Sequence, residues 1–506
     1  MDKIKGITIL ICMMIMSSCS DYLRVDPIDR LTGNNFYRSK EDVEANIASI
    51  YNLFFEKIDE TWVIGAIGEA RAGEIFVSPG ANNESRRKVI EILGKNDLNA
   101  AIRYDTDWYN FSQITNWTKY YRVIQSINIL IDKLNEGVPN LTNEDKSRYL
   151  AEATFIRCFT YFWMVRLYGD VVYYTEPYMR DAIARESQVT VLQKCIEEIK
   201  KHEDVLPWKQ LDAAQQGARA GKGSVVGLLM HMNMWLACFD SPNKNKYYEE
   251  VIRLGDKISK SGYHKLLPLT DESWAEVTKG RSEESLFEFY KSINYGDNIS
   301  AFAPFGDHFL RWPYKFPRFN NAISHCFFIS DYMLKIYPDA ISDKRKQTWF
   351  EDMTSDDGNF LLRKYGTNVY ASGNENENPD NTFMIFRYAD ALLLYAEALA
   401  ELDQDDLAAT VLNQVRARAE ALPYTGGSNN ELKDFIFLER CRELFGEGHH
   451  YFDLVRTKRI LSIEWTRSPI NLDQFNRGAW TWPIHESARN NNPKMVLNEY
   501  WLQQGR

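Results

Sequence analysis

A chain of 506 residues with a formal net charge of −10 and 44% hydrophobic residues can bury a sizeable core, as one large domain or two fused ones. The negative balance and the lack of a basic stripe exclude nucleic acid as a natural partner. Its 13 Trp, 28 Tyr and 27 Phe can supply both that core and an exposed aromatic surface.

The start of the chain concerns address. Lys3 and Lys5 precede an apolar run, residues 7–16, that is too short to cross a membrane, since a spanning helix needs roughly 20 apolar residues. A positive segment, a brief apolar run and small residues describe a secretory signal. "MSSC" resembles a bacterial lipobox, with Met16 where Leu is commoner, so Cys19 is the expected lipid-anchor residue. Residues 1–18 are therefore the expected lipoprotein signal peptide and 19–38 an extended leader or tether. The other cysteines (Cys158, Cys195, Cys238, Cys326 and Cys441, with Cys12 leaving in the signal) show no C-x-x-C spacing. They read as buried free thiols, with one disulfide allowed but not required.

Helical pattern begins at "SKED", residues 39–42, a capping-box start. Val43, Ile47, Ile50, Tyr51 and Phe54 follow on one face. Residues 60–116 lose this rhythm and form a long irregular excursion. Tyr121, Ile124, Ile127, Ile131 and Leu134 mark the next helix. "TNED" then starts one that is apolar nearly all round and stops at Gly169, which predicts burial between neighbours. Helices are expected over 188–204, 222–239 and 246–261, and again over 383–402 and 405–420. Units of two helices spanning roughly 34 residues have the size of a tetratricopeptide repeat, although the strict signature residues are missing. Residues 262–380 interrupt them with turns and short strand-like pieces such as "ESLFEFY". The fold class is thus mainly α, with tetratricopeptide-like helix pairs and a large irregular insertion containing short strands. An N-terminal helical region over 39–261 and a C-terminal region over 262–506 complete the expected organisation.

Motifs suggesting chemistry have structural explanations. Glu439, Glu443 and Glu447 recur every fourth residue beside Arg440 and Arg442, which reads as ion pairing, with Asp453 and Arg456 in the following turn. "GARAGKGS", residues 217–224, has the wrong spacing for a phosphate loop and reads as a loop feeding a helix. His449 and His450 are adjacent, so their side chains diverge, and no H-E-x-x-H or G-x-S-x-G pattern accompanies them. Asp105, Asp107, Glu351, Asp352, Asp356 and Asp357 could include a glycosidase pair, but solvated loop acids are the simpler reading. No cofactor or metal site and no enzyme activity is expected.

Several segments together resemble the SusD/RagB family of Bacteroidetes outer-membrane lipoproteins. They are "LAEATFIRCFTYFWMVRLYGDVVYYTEP", "FRYADALLLYAEALAEL", "LNQVRARA", "ERCRELFGEGHHYFDLVR" and "WTWPIHESARNNNP", which occur in the family's order. Departures fall at His485, where a second Pro is usual, and at "LNEYW", where the family commonly has Asn-Pro-Gly-Tyr. The resemblance implies four helix pairs and a non-catalytic protein, lipid-anchored at the cell surface. It also implies capture of oligosaccharides or related nutrients and delivery to a SusC-like TonB-dependent transporter. A helical scaffold stabilising that transporter without a ligand, or a surface glycoside hydrolase, would be the alternatives. A sugar ring stacks its C–H face on Trp or Tyr while its hydroxyls bond to amides, acids or guanidinium groups. Two irregular stretches supply both kinds of group. The candidate contacts are Trp62, Arg71, Trp108 and Tyr109 in the first, and Tyr295, Asn298, Arg311, Trp312 and Tyr314 in the second.

Overall fold

The computed structural model describes residues 36–59, 63–104, 109, 111–291, 305–366, 381–427, 429–490 and 492–505. The expected signal, Cys19 and most of the leader lie outside the described residues. The helices that carry the fold are α1 (Lys40–Ile58), α2 (Glu84–Gly94), α3 (Thr118–Glu136), α4 (Asn143–Tyr168), α5 (Gln188–Lys200), α6 (Lys222–Phe239) and α7 (Lys244–Ser261). They continue as α8 (Ser330–Ile336), α9 (Tyr388–Glu401), α10 (Asp405–Arg418), α11 (Asn429–Glu443) and α12 (His450–Arg456). Six short strands are described: β1 (Ile75–Val77), β2 (Ser285–Phe289), β3 (Cys326–Phe328), β4 (Phe350–Glu351), β5 (Leu361–Leu362) and β6 (Phe383–Arg387). Helix accounts for 57% of the structure, which makes the fold mainly α. No helix among the described residues is long and apolar enough to cross a membrane.

Local chemistry sets the helix ends. Ser39 and Asp42 form the expected capping box, and Val43, Ile47, Ile50, Tyr51 and Phe54 are buried behind it. Thr142 caps α4 by accepting from the Asp145 amide at 3.0 Å, and Gly169 ends it at a φ of 72°, where a side chain would be strained. Every residue from 151 to 168 is buried, because α4 packs between α3 and α5. In α3 the buried face is Tyr120, Val123, Ile124, Ile127, Leu130 and Leu134, while Tyr121 turns aside so that its hydroxyl can serve Val172. Residues 217–224 do feed a helix: the Gly221 amide donates to Ser224 Oγ at the start of α6.

Packing runs in series. α1 lies on α3, α3 on α4, α4 on α5, α5 on α6, α6 on α7, α7 on α9 and α9 on α10, so these helices stack as four successive pairs. Residues 383–387, expected as the start of a helix, are instead β6. It pairs antiparallel with β2 through Phe289 opposite Phe383 and Ser285 opposite Arg387. Aromatic and branched side chains there suit a pleated surface, and the helix begins only at Tyr388. Cys158, Cys195, Cys238, Cys326 and Cys441 are all free thiols.

The C-terminal segment folds back over the N-terminal helices. Trp482 N donates to Leu167 O at 2.7 Å, and Arg71 Nη1 donates to Trp480 O at 2.7 Å. The departure at His485 and the asparagine of "LNEYW" both serve this closure. The His485 amide donates to Thr115 O at 3.0 Å, a bond proline cannot make. Asn498 Nδ2 donates to Tyr168 O at 3.0 Å and to Thr481 Oγ1 at 2.8 Å.

Candidate ligand-binding surface

The two irregular stretches meet. β1 from the first pairs antiparallel with β3 from the second, with Ile75 opposite Phe328 and Val77 opposite Cys326. Bonds at each end lengthen this ribbon: Ser78 N to His325 O at 2.9 Å and Ile329 N to Glu74 O at 3.0 Å. Beyond its His325 end lies a loop, residues 310–321, closed by Trp312 N donating to Asn321 O at 2.8 Å. Two cis peptide bonds, Trp312–Pro313 and Phe316–Pro317, fold it tightly.

A buried polar layer holds the loop from below. Lys315 Nζ donates to Asp307 Oδ2 at 2.7 Å and to Asp307 O at 3.1 Å, with both side chains almost wholly inside. Burial works against the Asp307 charge, but Lys315 and His308 outweigh it and hold the carboxyl at about 2. Burial pushes His308 down to about 4, which leaves it neutral at physiological pH. Its Nε2 meets the Tyr109 hydroxyl, linking the excursion around residue 109 to the second stretch. Desolvating so many polar groups is tolerable only because they face one another.

Above this layer the loop presents aromatic and cationic groups. Trp312 is 40% exposed and Phe319 81% exposed. The Arg318 guanidinium lies 4.6 Å from the Trp312 ring centroid, a cation–π contact that steadies the indole. Arg311 is anchored by donation to Asn359 O at 3.1 Å and reaches Glu351 and Asp352 at 3.6 and 3.5 Å. Tyr314 packs half-buried against Gly366, where a Cβ would sit 3.0 Å from its ring.

The structure therefore brings Arg311, Trp312 and Tyr314 together. Trp62, Trp108, Tyr295 and Asn298 lie outside the described residues, as do Asp105 and Asp107. Two expectations are corrected. Tyr109 is 1% exposed and belongs to the supporting layer. Arg71 is equally buried, stacks 4.3 Å from the Tyr451 ring and donates to the carbonyls of Trp480 and Ala479, so it fastens the C-terminal segment. Arg318 and Phe319 were not singled out from sequence, although their place beside Pro317 in the same aromatic loop was a usable signal.

Other groupings are explained structurally. Glu439, Glu443 and Glu447 are buried among Arg345, Arg387, Arg416 and Lys364. Among the described residues, His231, Asp390 and His449 come close enough to share a metal ion. Arg440 lies 2.9 Å from Asp390 Oδ1 and already balances its charge, so the cluster reads as an internal ion-pair network. Glu351 ends β4, and Asp352, Asp356 and Asp357 sit on the partly exposed turn after it, in which Asp357 accepts from Asn359. Two concavities of about 400 and 430 Å³ lie away from the loop, one beside α8 and α11 and one beneath the C-terminal segment.

Comparison with known proteins places this architecture. A family model described as the SusD family matches residues 350–501, and one described as starch-binding associating with outer membrane matches residues 37–229. A solved SusD homologue from Bacteroides thetaiotaomicron superposes with a TM-score of 0.83 at 34% identity, covering 91% of this chain and 98% of that one. The chain belongs to the SusD family. SusD-like protein P38 of Formosa agariphila is 25% identical, with 98% of this chain and 99% of that protein covered. SusD-like protein P25 of the same organism is also 25% identical, with 91% of each covered. The matched stretches carry most of the stacked helices, though not α7, and the Glu439–Glu443–Glu447 network. Residues 310–321 fall in the interval between them.

Proposed function

We propose that this SusD-family protein is a non-catalytic cell-surface lipoprotein that captures a glycan or related nutrient on the 310–321 loop. It passes the ligand to a SusC-like TonB-dependent transporter in the outer membrane, and a lipid on Cys19 holds it there. The observation that carries this reading is an exposed aromatic pair, Trp312 and Phe319, mounted on a buried ion-paired base. Exposed large aromatics cost solubility and are kept where they bind something. Here the indole is pre-positioned by Arg318, so less ordering is required on binding. The family models, one of which bears a starch-binding description, support a sugar as the ligand class. Arg311 and Tyr314 lie in the same loop, and Trp62, Trp108, Tyr295 and Asn298 stay candidate contacts on the strength of the sequence.

An open platform making a few net hydrogen bonds of on the order of 1 kcal/mol each should bind in the micromolar to millimolar range. The test is calorimetric titration of the purified protein with a panel of oligosaccharides. Trp312→Ala is expected to weaken the binding it detects about 10-fold or more, which is about 1.4 kcal/mol. Absence of saturable binding across the panel, or full affinity in Trp312→Ala, would overturn the reading.

A further inference from the structure

The cavity of about 400 Å³ beside α8 and α11 has the size of a small-molecule site and lies wholly within described residues. Its walls are largely apolar, from Ile329, Tyr332, Ile336, Phe437 and Trp465, and Ile463, 73% exposed, marks its mouth. At its floor is an aligned set of three groups. Cys441 Sγ lies 3.5 Å from His450 Nδ1, and His450 Nε2 lies 3.8 Å from Glu74 Oε1. Cys441, His450 and Glu74 are 7%, 8% and 3% exposed, and all three line the cavity. The two neighbours occupy opposite nitrogens of one imidazole, which suits proton transfer from sulfur better than shared coordination of an ion.

We propose that Cys441 is a thiol nucleophile with His450 as its base and Glu74 as a positioning residue, and that the groove takes a flat, largely apolar α,β-unsaturated carbonyl compound. His450 Nδ1 receives the thiol proton. The sulfur lone pair forms a C–S bond to the β-carbon, the alkene π pair moves to the α-carbon, and the same proton returns there from Nδ1. Atoms and electrons balance without an added oxidant or reductant. Glu74 keeps the imidazole charged and aligned from its far side. Glu69 ahead of β1 and Tyr332 and Lys335 on α8 lie around the ring, and Asp331, Glu464 and Arg467 also line the cavity. Burial opposes a charge on His450, but the Cys441 sulfur and Glu74 outweigh it and raise the imidazole well above its ordinary value. By contrast, burial pushes the Cys238 thiol up to about 11 and the Cys326 thiol to about 12. Apolar aromatic walls and a soft nucleophile together specify the ligand class.

The test labels the intact protein with N-phenylmaleimide and follows each cysteine by peptide mass mapping. At pH ~6, Cys441 is expected to react at least about 10-fold faster than Cys238, with a rate that changes less than about 2-fold up to pH ~8. An ordinary thiol gains about 10-fold per pH unit over that range. His450→Gln is expected to restore this steep climb, and Glu74→Gln to move the profile in the same direction while leaving Cys238 unchanged. Should His450→Gln not fold, the profile of the unsubstituted protein decides alone. Cys441 reacting no faster than Cys238 at pH ~6, or climbing with pH as a solvent thiol does, overturns the proposal.

Discussion

Lys315 and Asp307 face each other eight positions apart at the base of the aromatic loop, both nearly inaccessible to water. A buried charge that loses its partner typically costs about 3–5 kcal/mol, because the remaining ion is left desolvated. Lys315→Met should therefore destabilise the protein by about that amount in urea unfolding and weaken glycan binding by loosening the loop. Adding Asp307→Asn should recover part of the stability, since the orphaned carboxylate is then gone, and a strictly additive double variant would refute the coupling. No residue of this base touches the open face. Its effect on binding passes through the backbone between Trp312 and Asn321.

At the scale of elements, α11 shows what a helix with a carboxylate on each successive turn can gather. Arg345 reaches Glu439 at 2.6 Å and Glu443 at 2.9 Å, Arg387 reaches Glu443 at 2.6 Å, and Arg416 reaches Glu439 at 2.6 Å. Arg418 also contacts Glu443. Three separate segments, around Arg345, around Arg387 and in α10, are thereby fastened to one helix. Glu443→Ala should cost about 3–5 kcal/mol or abolish folding, whereas Glu351→Ala at the partly exposed end of β4 should change urea stability by less than about 0.5 kcal/mol. The four-residue spacing announced the helix and its ion pairing, but its partners could not be named, because Arg345 and Arg387 lie 98 and 56 residues away from Glu443. The same limit explains the candidate site. Pro, Gly and aromatic residues marked 294–319 as part of an irregular stretch, and the exposed Trp312 lies within it. Arg71 and Tyr109 looked alike in sequence, and only their distant partners, Trp480 and His308, show that they are interior. Residues 383–387 were misread because "FMIFR" is apolar enough for either a helix or a strand, and β2 decides between them.

For the whole molecule, buried carboxyls pull stability in opposite directions with pH. Glu439 and Asp307 are held at about 2, their cationic neighbours overcoming burial. They stabilise the fold above the unfolded value near 4.5 or 3.8, and that contribution disappears as pH falls toward 2. Glu69 and Glu288 are raised by burial to about 7, so the folded state keeps two protons that the unfolded chain releases near 4.5. Stability from these two declines as pH rises from 4.5 to 7, by about 3 kcal/mol each. Burial holds His264, His308 and His449 down at about 4, so their contribution grows as pH rises toward 6.5 and offsets that loss. The melting temperature should thus fall steeply below pH ~4 and change little between pH ~6 and ~8; scanning fluorimetry checks the shape, and a maximum below pH ~5 would contradict it.

The clasp of Arg71 on Trp480 spans 409 residues of chain. At roughly 5–20 residues per second, a ribosome needs roughly 20–80 s to deliver the second partner after the first. Throughout that interval the guanidinium lacks the Trp480 carbonyl that it donates to in the finished fold. A fastening that forms so late leaves this part of the chain unclasped while it is drawn through an export channel, as the proposed lipid-anchored location requires.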